Sequence, residues 1–165
     1  MAAGKTYEPI ATQTLGSAAA SVTFSSISGS YTDLVIICVS KGSASGSMRM
    51  QFNTDTGSNY SSTQLSADTS AGTAVSAKFS NVSDIRIGYY QAGLSTTNFL
   101  PCIIQLQNYS NTTTYKTALG RSAQNSVATV GLWRNTSAIS TIKLFEDGGN
   151  LQSGSTFTIY GIAAA

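Results

Sequence analysis

The chain has 165 residues, enough for one domain with a single core. Only 10% of them are charged, against roughly 25% in ordinary globular chains, while hydrophobic residues still make up 41%, so the missing charge is replaced by serine and threonine rather than by disorder. Histidine is absent, which closes Ser-His-Asp and Cys-His catalysis, imidazole metal sites and the usual pH switch, and the net charge of +2 comes from nine scattered cations with no phosphate-tracking cluster.

Along the chain, short β-branched and aromatic runs alternate with Gly, Ser, Asn and Asp. The pattern predicts some eleven strands, at 6–15, 21–26, 33–39, 48–53, 73–79, 84–90, 99–107, 115–122, 127–133, 139–145 and 156–162, with the roughly 8–12-residue spacing of sandwiches and barrels. Residues 60–72 carry no assigned strand. Most segments alternate, as Val22 and Phe24 do against Ser21, Thr23 and Ser25, so each has one wet face and one core face. Segments 34–39 and 99–106 are apolar on both faces, which suits central strands covered from both sides or facing a subunit contact. The expected fold is all-β, an antiparallel jelly-roll-like β-sandwich over residues 11–165, preceded by residues 1–10 as an N-terminal arm or a first strand.

Cys38 and Cys102 lie inside apolar runs without an electropositive neighbour, so both are expected as buried, reduced thiols. No apolar run approaches the roughly 20 residues that span a bilayer, and the first ten residues lack the apolar stretch of a secretory signal, so cytosolic synthesis is expected. Five Asn-x-Ser/Thr triplets, at Asn59, Asn81, Asn108, Asn111 and Asn135, then follow from the abundance of hydroxyl residues and are not read as glycosylation sites.

The loop from Asn53 to Asn59 has oxygen groups at alternate positions, vaguely like a calcium loop, yet carries one carboxylate and no distal bidentate glutamate; a turn with Asx geometry explains the same residues. Nothing pairs two of the seven acids for glycoside cleavage, and Glu146-Asp147 adjoin a glycine turn where acids are ordinary. No nucleophile or cofactor motif occurs. The chain is expected not to be an enzyme and to bind no cofactor, nucleic acid or membrane.

Aromatic rings offer the better lead, because rings near strand ends anchor interfaces or stack on sugars. Trp133 is assigned to the core, and of the adjacent Tyr89 and Tyr90 one must point outward. Residues 2–10 mix small side chains with Lys5, Tyr7 and Pro9, and such a segment could dock by adding main-chain hydrogen bonds to a neighbouring sheet, or be an ordinary first strand. The candidate interface residues are therefore Lys5, Tyr7, Pro9, Tyr89 and Tyr90.

Several stretches carry a family resemblance: Tyr7-Glu8-Pro9-Ile10-Ala11 with Leu15-Gly16, Phe24-Ser25-Ser26-Ile27, Phe52-Asn53 with the following loop to Tyr60, Asn108-Tyr109-Ser110-Asn111-Thr112-Thr113, Gly131-Leu132-Trp133-Arg134, and Gly154 through Ile162. With these the chain resembles small stand-alone β-sandwich virion proteins of tailed bacteriophages, especially those of cyanobacterial and other marine hosts. The resemblance implies a place in the virion, assembled in the host cytoplasm, as a decoration, head-fibre or tail-fibre component. The chain has no heptad or repeated-strand shaft, so the expected role is a capsid decoration or cement protein on the major capsid protein, as a homotrimer. The alternative is a tail or head fibre knob that binds a host-surface glycan.

Overall fold

A computed structural model describes residues 6–44, 46–68, 73–88, 94–123 and 126–163. It is an antiparallel β-sandwich without an α-helix among those residues. In chain order the strands are β1 (Tyr7–Thr14), β2 (Ser21–Phe24), β3 (Asp33–Ser40), β4 (Met48–Phe52), β5 (Tyr60–Asp68), β6 (Thr73–Val82), β7 (Ile85–Arg86), β8 (Leu100–Gln107), β9 (Lys116–Ser122), β10 (Val127–Trp133), β11 (Ile142–Glu146) and β12 (Thr156–Ile162). The large sheet runs β1-β12-β3-β8-β9-β10-β5-β6 and the small one β2-β11-β4-β7. The first five strands alternate between the sheets, the crossing habit of jelly rolls.

The core lies between the sheets and is built by period-2 alternation. Leu34, Ile36 and Cys38 of β3, Ile104 and Leu106 of β8, and Phe157 and Ile159 of β12 face Val22, Met48, Met50, Phe52, Ile142 and Leu144 of the small sheet, all buried. Phe52, Tyr60 and Trp133 form a ring cluster at one end, Tyr60 and Trp133 stacked with centroids 6.1 Å apart. As expected, β3 and β8 are interior strands, and Trp133 is buried.

The open edges are blunted. Pro9 and a register shift between Pro9 and Ala11 interrupt β1, β2 has four residues, and Lys78 sits mid-way along the edge strand β6.

Among the described residues twelve strands, not eleven, make the sandwich, and the added one is β5. Its alternation is inverted: Ser62, Gln64 and Ser66 are buried while Leu65 is 57% exposed. The reason lies opposite. β7 pairs with β4 over two residues only and leaves carbonyls free, which Gln64 Nε2 caps by donating to Arg86 O at 3.1 Å and Gly88 O at 2.6 Å. An inward amide at position 64 is what this short strand requires. β7 is likewise shorter than the expected 84–90, and β11 begins at Ile142 instead of residue 139, because Ile139 N–H donates to Tyr109 O and Thr141 O accepts from Asn53 N–H.

Cys38 and Cys102 are free, buried and directly opposite one another across β3 and β8. Burial pushes the Cys102 thiol up to about 12 and raises Cys38 well above its ordinary value. The folded state therefore holds both protons where the unfolded chain releases them, near pH 8.5, so stability is full below that pH and falls above it. Denaturant titrations at pH 7 and pH 10 should show a lower midpoint at the higher pH and a smaller drop in Cys38→Ala/Cys102→Ala. Thiol reagent should label neither residue until the protein unfolds; labelling at the rate of a free thiol in native buffer would contradict the burial.

Candidate functional site

The inward side chains fill the core, and the outward side chains of the large sheet leave an aliphatic band in solvent. On β3, Ile37 and Val39 are each 41% exposed, as is Leu119 on β9, and Val130 on β10 is 53% exposed. Register ties them into rows across the strands. One row runs Ile37, Ile103, Arg121, Ala128, Leu65, Ser76, and the next Val35, Gln105, Leu119, Val130, Thr63, Lys78. The apolar second face expected of 34–39 and 99–106 is real; at its β12 side Val35 is buried, and among the described residues no third sheet covers the rest.

Between these rows lies a shallow groove of about 470 Å³, walled by Leu65, Leu119, Val130, Gln105 and Arg121. Its floor is low because Ala128, the outward residue between Arg121 and Leu65, is small. Gly120 and Gly131, alternating with Leu119 and Val130, point inward, where a Cβ on Gly131 would fall 2.5 Å from Ile85 Cγ2. The core thus demands glycine on one face while the other face carries branched aliphatics.

The predicted interface residues divide. Tyr7 and Pro9 lie on β1 and are exposed, Pro9 opposite Tyr160 in register. Tyr7 packs edge-on against Tyr160, centroids 6.4 Å apart, and Tyr160 pairs with Val35 of the second row, so these rings border the same face. Lys5, Tyr89 and Tyr90 lie outside the described residues. Sequence reading missed Leu65, Leu119, Val130 and Arg121. The available signal was the Leu-Gly-Arg and Val-Gly-Leu spacing in β9 and β10, where small residues alternate with large ones on the face opposite the core.

The loop after β4 has a structural occupation. Asn53 and Thr54 take φ of 49° and 60°, and the chain then turns so that Asp55 accepts from Gly57 N–H at 2.8 Å, Asn59 Nδ2 at 2.9 Å and Trp133 Nε1 at 2.8 Å. Its one carboxylate is thus aimed at the protein's own donors, which tie the loop to the ring cluster. Among the described residues no group of three or more Cys, Asp or Glu is placed to hold a metal ion.

Partial desolvation pushes the Asp55 carboxyl upward, but the bonds from Trp133, Asn59 and Gly57 together outweigh it and hold the group below its ordinary value. A depressed carboxyl stabilises the fold above the unfolded value of about 4 and loses that contribution as pH falls through the folded one. Asp55→Asn should therefore destabilise the protein at pH 7 and cost progressively less toward pH 2. Unfolding followed through Trp133 emission checks this, and an equal cost at both pH values would refute it.

No protein-family model matches the chain, and no curated protein sequence does. Among solved structures, exo-inulinase from Aspergillus awamori is similar at 15% identity and a TM-score of 0.44, over 94% of this chain and 29% of that one. A galectin from Caenorhabditis elegans follows at 9% identity and 0.36, over 87% and 90%, and an alginate lyase in complex with alginate tetrasaccharide at 14% and 0.38, over 92% and 77%. The chain thus spans less than a third of the inulinase. Likeness of this order says nothing about ligand or activity.

Proposed function

We propose that the chain is a non-enzymatic structural protein of a tailed-bacteriophage virion, a decoration or cement protein that sits on the major capsid protein as a homotrimer. The observation that carries this reading is the exposed aliphatic band on the large sheet, Ile37, Val39, Leu65, Leu119 and Val130, in a chain rich in serine and threonine. Contiguous exposed apolar surface on a soluble domain marks a contact with another macromolecule. The blunted edges support it, since a protein displayed in many copies must not pair strand to strand. Trimers suit the three-fold positions of an icosahedral lattice and pool three modest contacts.

The fibre-knob alternative draws its support from the exposed Tyr7 ring against Tyr160, a pair that could stack on a sugar. Copy number separates the two. Purified protein mixed with tail-less heads lacking it should saturate at on the order of hundreds of copies per particle, one set for each lattice position. Saturation at a handful, or binding to tails or host cells alone, would replace the decoration reading with the fibre one.

A further inference from the structure

We infer that the outer face of the large sheet docks an aliphatic protein surface of the capsid subunit that carries a carboxylate opposite Arg121. The inference rests on the decoration reading and specifies its partner chemistry.

Arg121 stands in the middle of the aliphatic band, opposite Ile103 on one side and Ala128 on the other, with Leu65 the next residue in its row. Arg121 lines the groove beside Leu119 and Val130 and is exposed. The other charge on these rows is Lys78, at the β6 end of the neighbouring row. Among the described residues all ion pairs are made by Arg49. Of the other acids, Asp84 and Asp147 hold Arg49, Asp55 holds Trp133, Glu146 holds a loop, Glu8 is on β1, and Asp68 ends β5, three residues beyond Leu65 and two strands from Arg121. Asp33, which accepts from Asn108 N–H, opens β3, two strands away and four residues from the Ile37 position of the Arg121 row.

A purely aliphatic partner would cover Arg121 and leave its charge desolvated without a counter-charge, which disfavours the complex. A partner carboxylate removes that penalty and adds a bidentate pair fixing the register of docking. A second copy of this chain does not fit the same face. Two such faces brought together by a two-fold axis offer cations and aliphatics to cations and aliphatics, with no carboxylate in either row. A glycan fits poorly as well, since the groove is walled by aliphatic and not by aromatic side chains. A trimer must then form through other surfaces and leave this face free for the lattice.

The test is binding of full-length protein to tail-less heads lacking it, with four variants whose fold is checked by protection of Cys38 and Cys102. Val130→Asp and Arg121→Glu should each weaken binding roughly hundredfold, and Arg121→Gln roughly tenfold. Lys143→Glu, exposed on the small sheet, should bind as wild type. If wild type saturates the heads and Val130→Asp and Arg121→Glu do too, the face is not the dock while the decoration reading stands. If Val130→Asp fails but Arg121→Gln binds as tightly as wild type, the partner carboxylate is refuted. If wild type leaves the heads bare, the decoration reading falls and this inference with it.

Discussion

Arg49→Ala should lower the unfolding free energy by about 3–5 kcal/mol, the usual cost of breaking a buried ion pair from one side. Arg49 lies on β4 and is 6% exposed, and its Nη1 donates to Asp84 Oδ1 at 2.7 Å while Nη2 donates to Asp147. Directly across the β4–β7 ladder stands a second cation, Arg86, whose guanidinium lies 3.9 Å over the Phe79 ring. Burial first, and then the Arg49 charge, lowers Arg86 below its ordinary value. Two acids therefore balance two cations placed opposite each other, and removing Arg49 strands Asp84, itself 7% exposed, without its partner. Urea unfolding should show the loss as a lower midpoint with an unchanged slope. Arg49→Met/Asp84→Leu should recover most of it, because removing both charges also removes their desolvation. A single substitution costing under about 1 kcal/mol would mean that solvent already screens the pair.

Glu146→Ala should cost about 2–3 kcal/mol, with a local signature that distinguishes it from a core defect. Glu146 closes β11 and is 3% exposed; its carboxylate accepts from Ser43 N–H at 2.9 Å, Ala44 N–H at 3.2 Å and Gly46 N–H at 3.3 Å. The glycines around it leave no room for anything larger: a Cβ on Gly42 or Gly149 would fall 2.2 Å from a carboxylate oxygen. Ser43 N–H keeps Asn150 O as a second acceptor, so the alanine variant orphans Ala44 and Gly46. Glu146→Gln retains an oxygen for those two and turns an amide N–H₂ toward Ser43 N–H, so it should cost about half as much. Hydrogen exchange should speed up at Ala44 and Gly46 in the alanine variant and little elsewhere; unchanged exchange there would show that the carboxylate does not hold the loop.

These two clusters mark where local sequence stopped being informative. Arg49 alternates with Met48 and Met50 in β4 as any outward residue would, Asp84 opens a strand-like run, and Glu146-Asp147 precede two glycines, an arrangement that any surface turn would show. Residues 35 and 98 positions apart become partners only after β4, β7 and β11 are assembled. Lys116 is similar. Its alternation with Ala118 and Gly120 places it inward, but that its Nζ can be buried by donating to Thr114 O at 2.7 Å and Thr136 O at 3.0 Å depends on where the chain after β10 happens to pass.

The sequence by itself determined the class of fold and most of its strands, because period-2 alternation and Gly/Asn turn punctuation are local properties that need no neighbour to be read. It also determined that β3 and β8 lie inside the sheet and that Trp133 and both thiols are buried, since apolar side chains have few alternatives in a chain this size. Only the tertiary structure decided β5, whose Gln64 faces inward because a two-residue strand across the core leaves carbonyls to be capped. It alone decided that Ile37, Leu65, Leu119 and Val130 share one open face around Arg121. Each of these is one outward residue on its own strand, and a surface exists only once strand order and register have set them side by side.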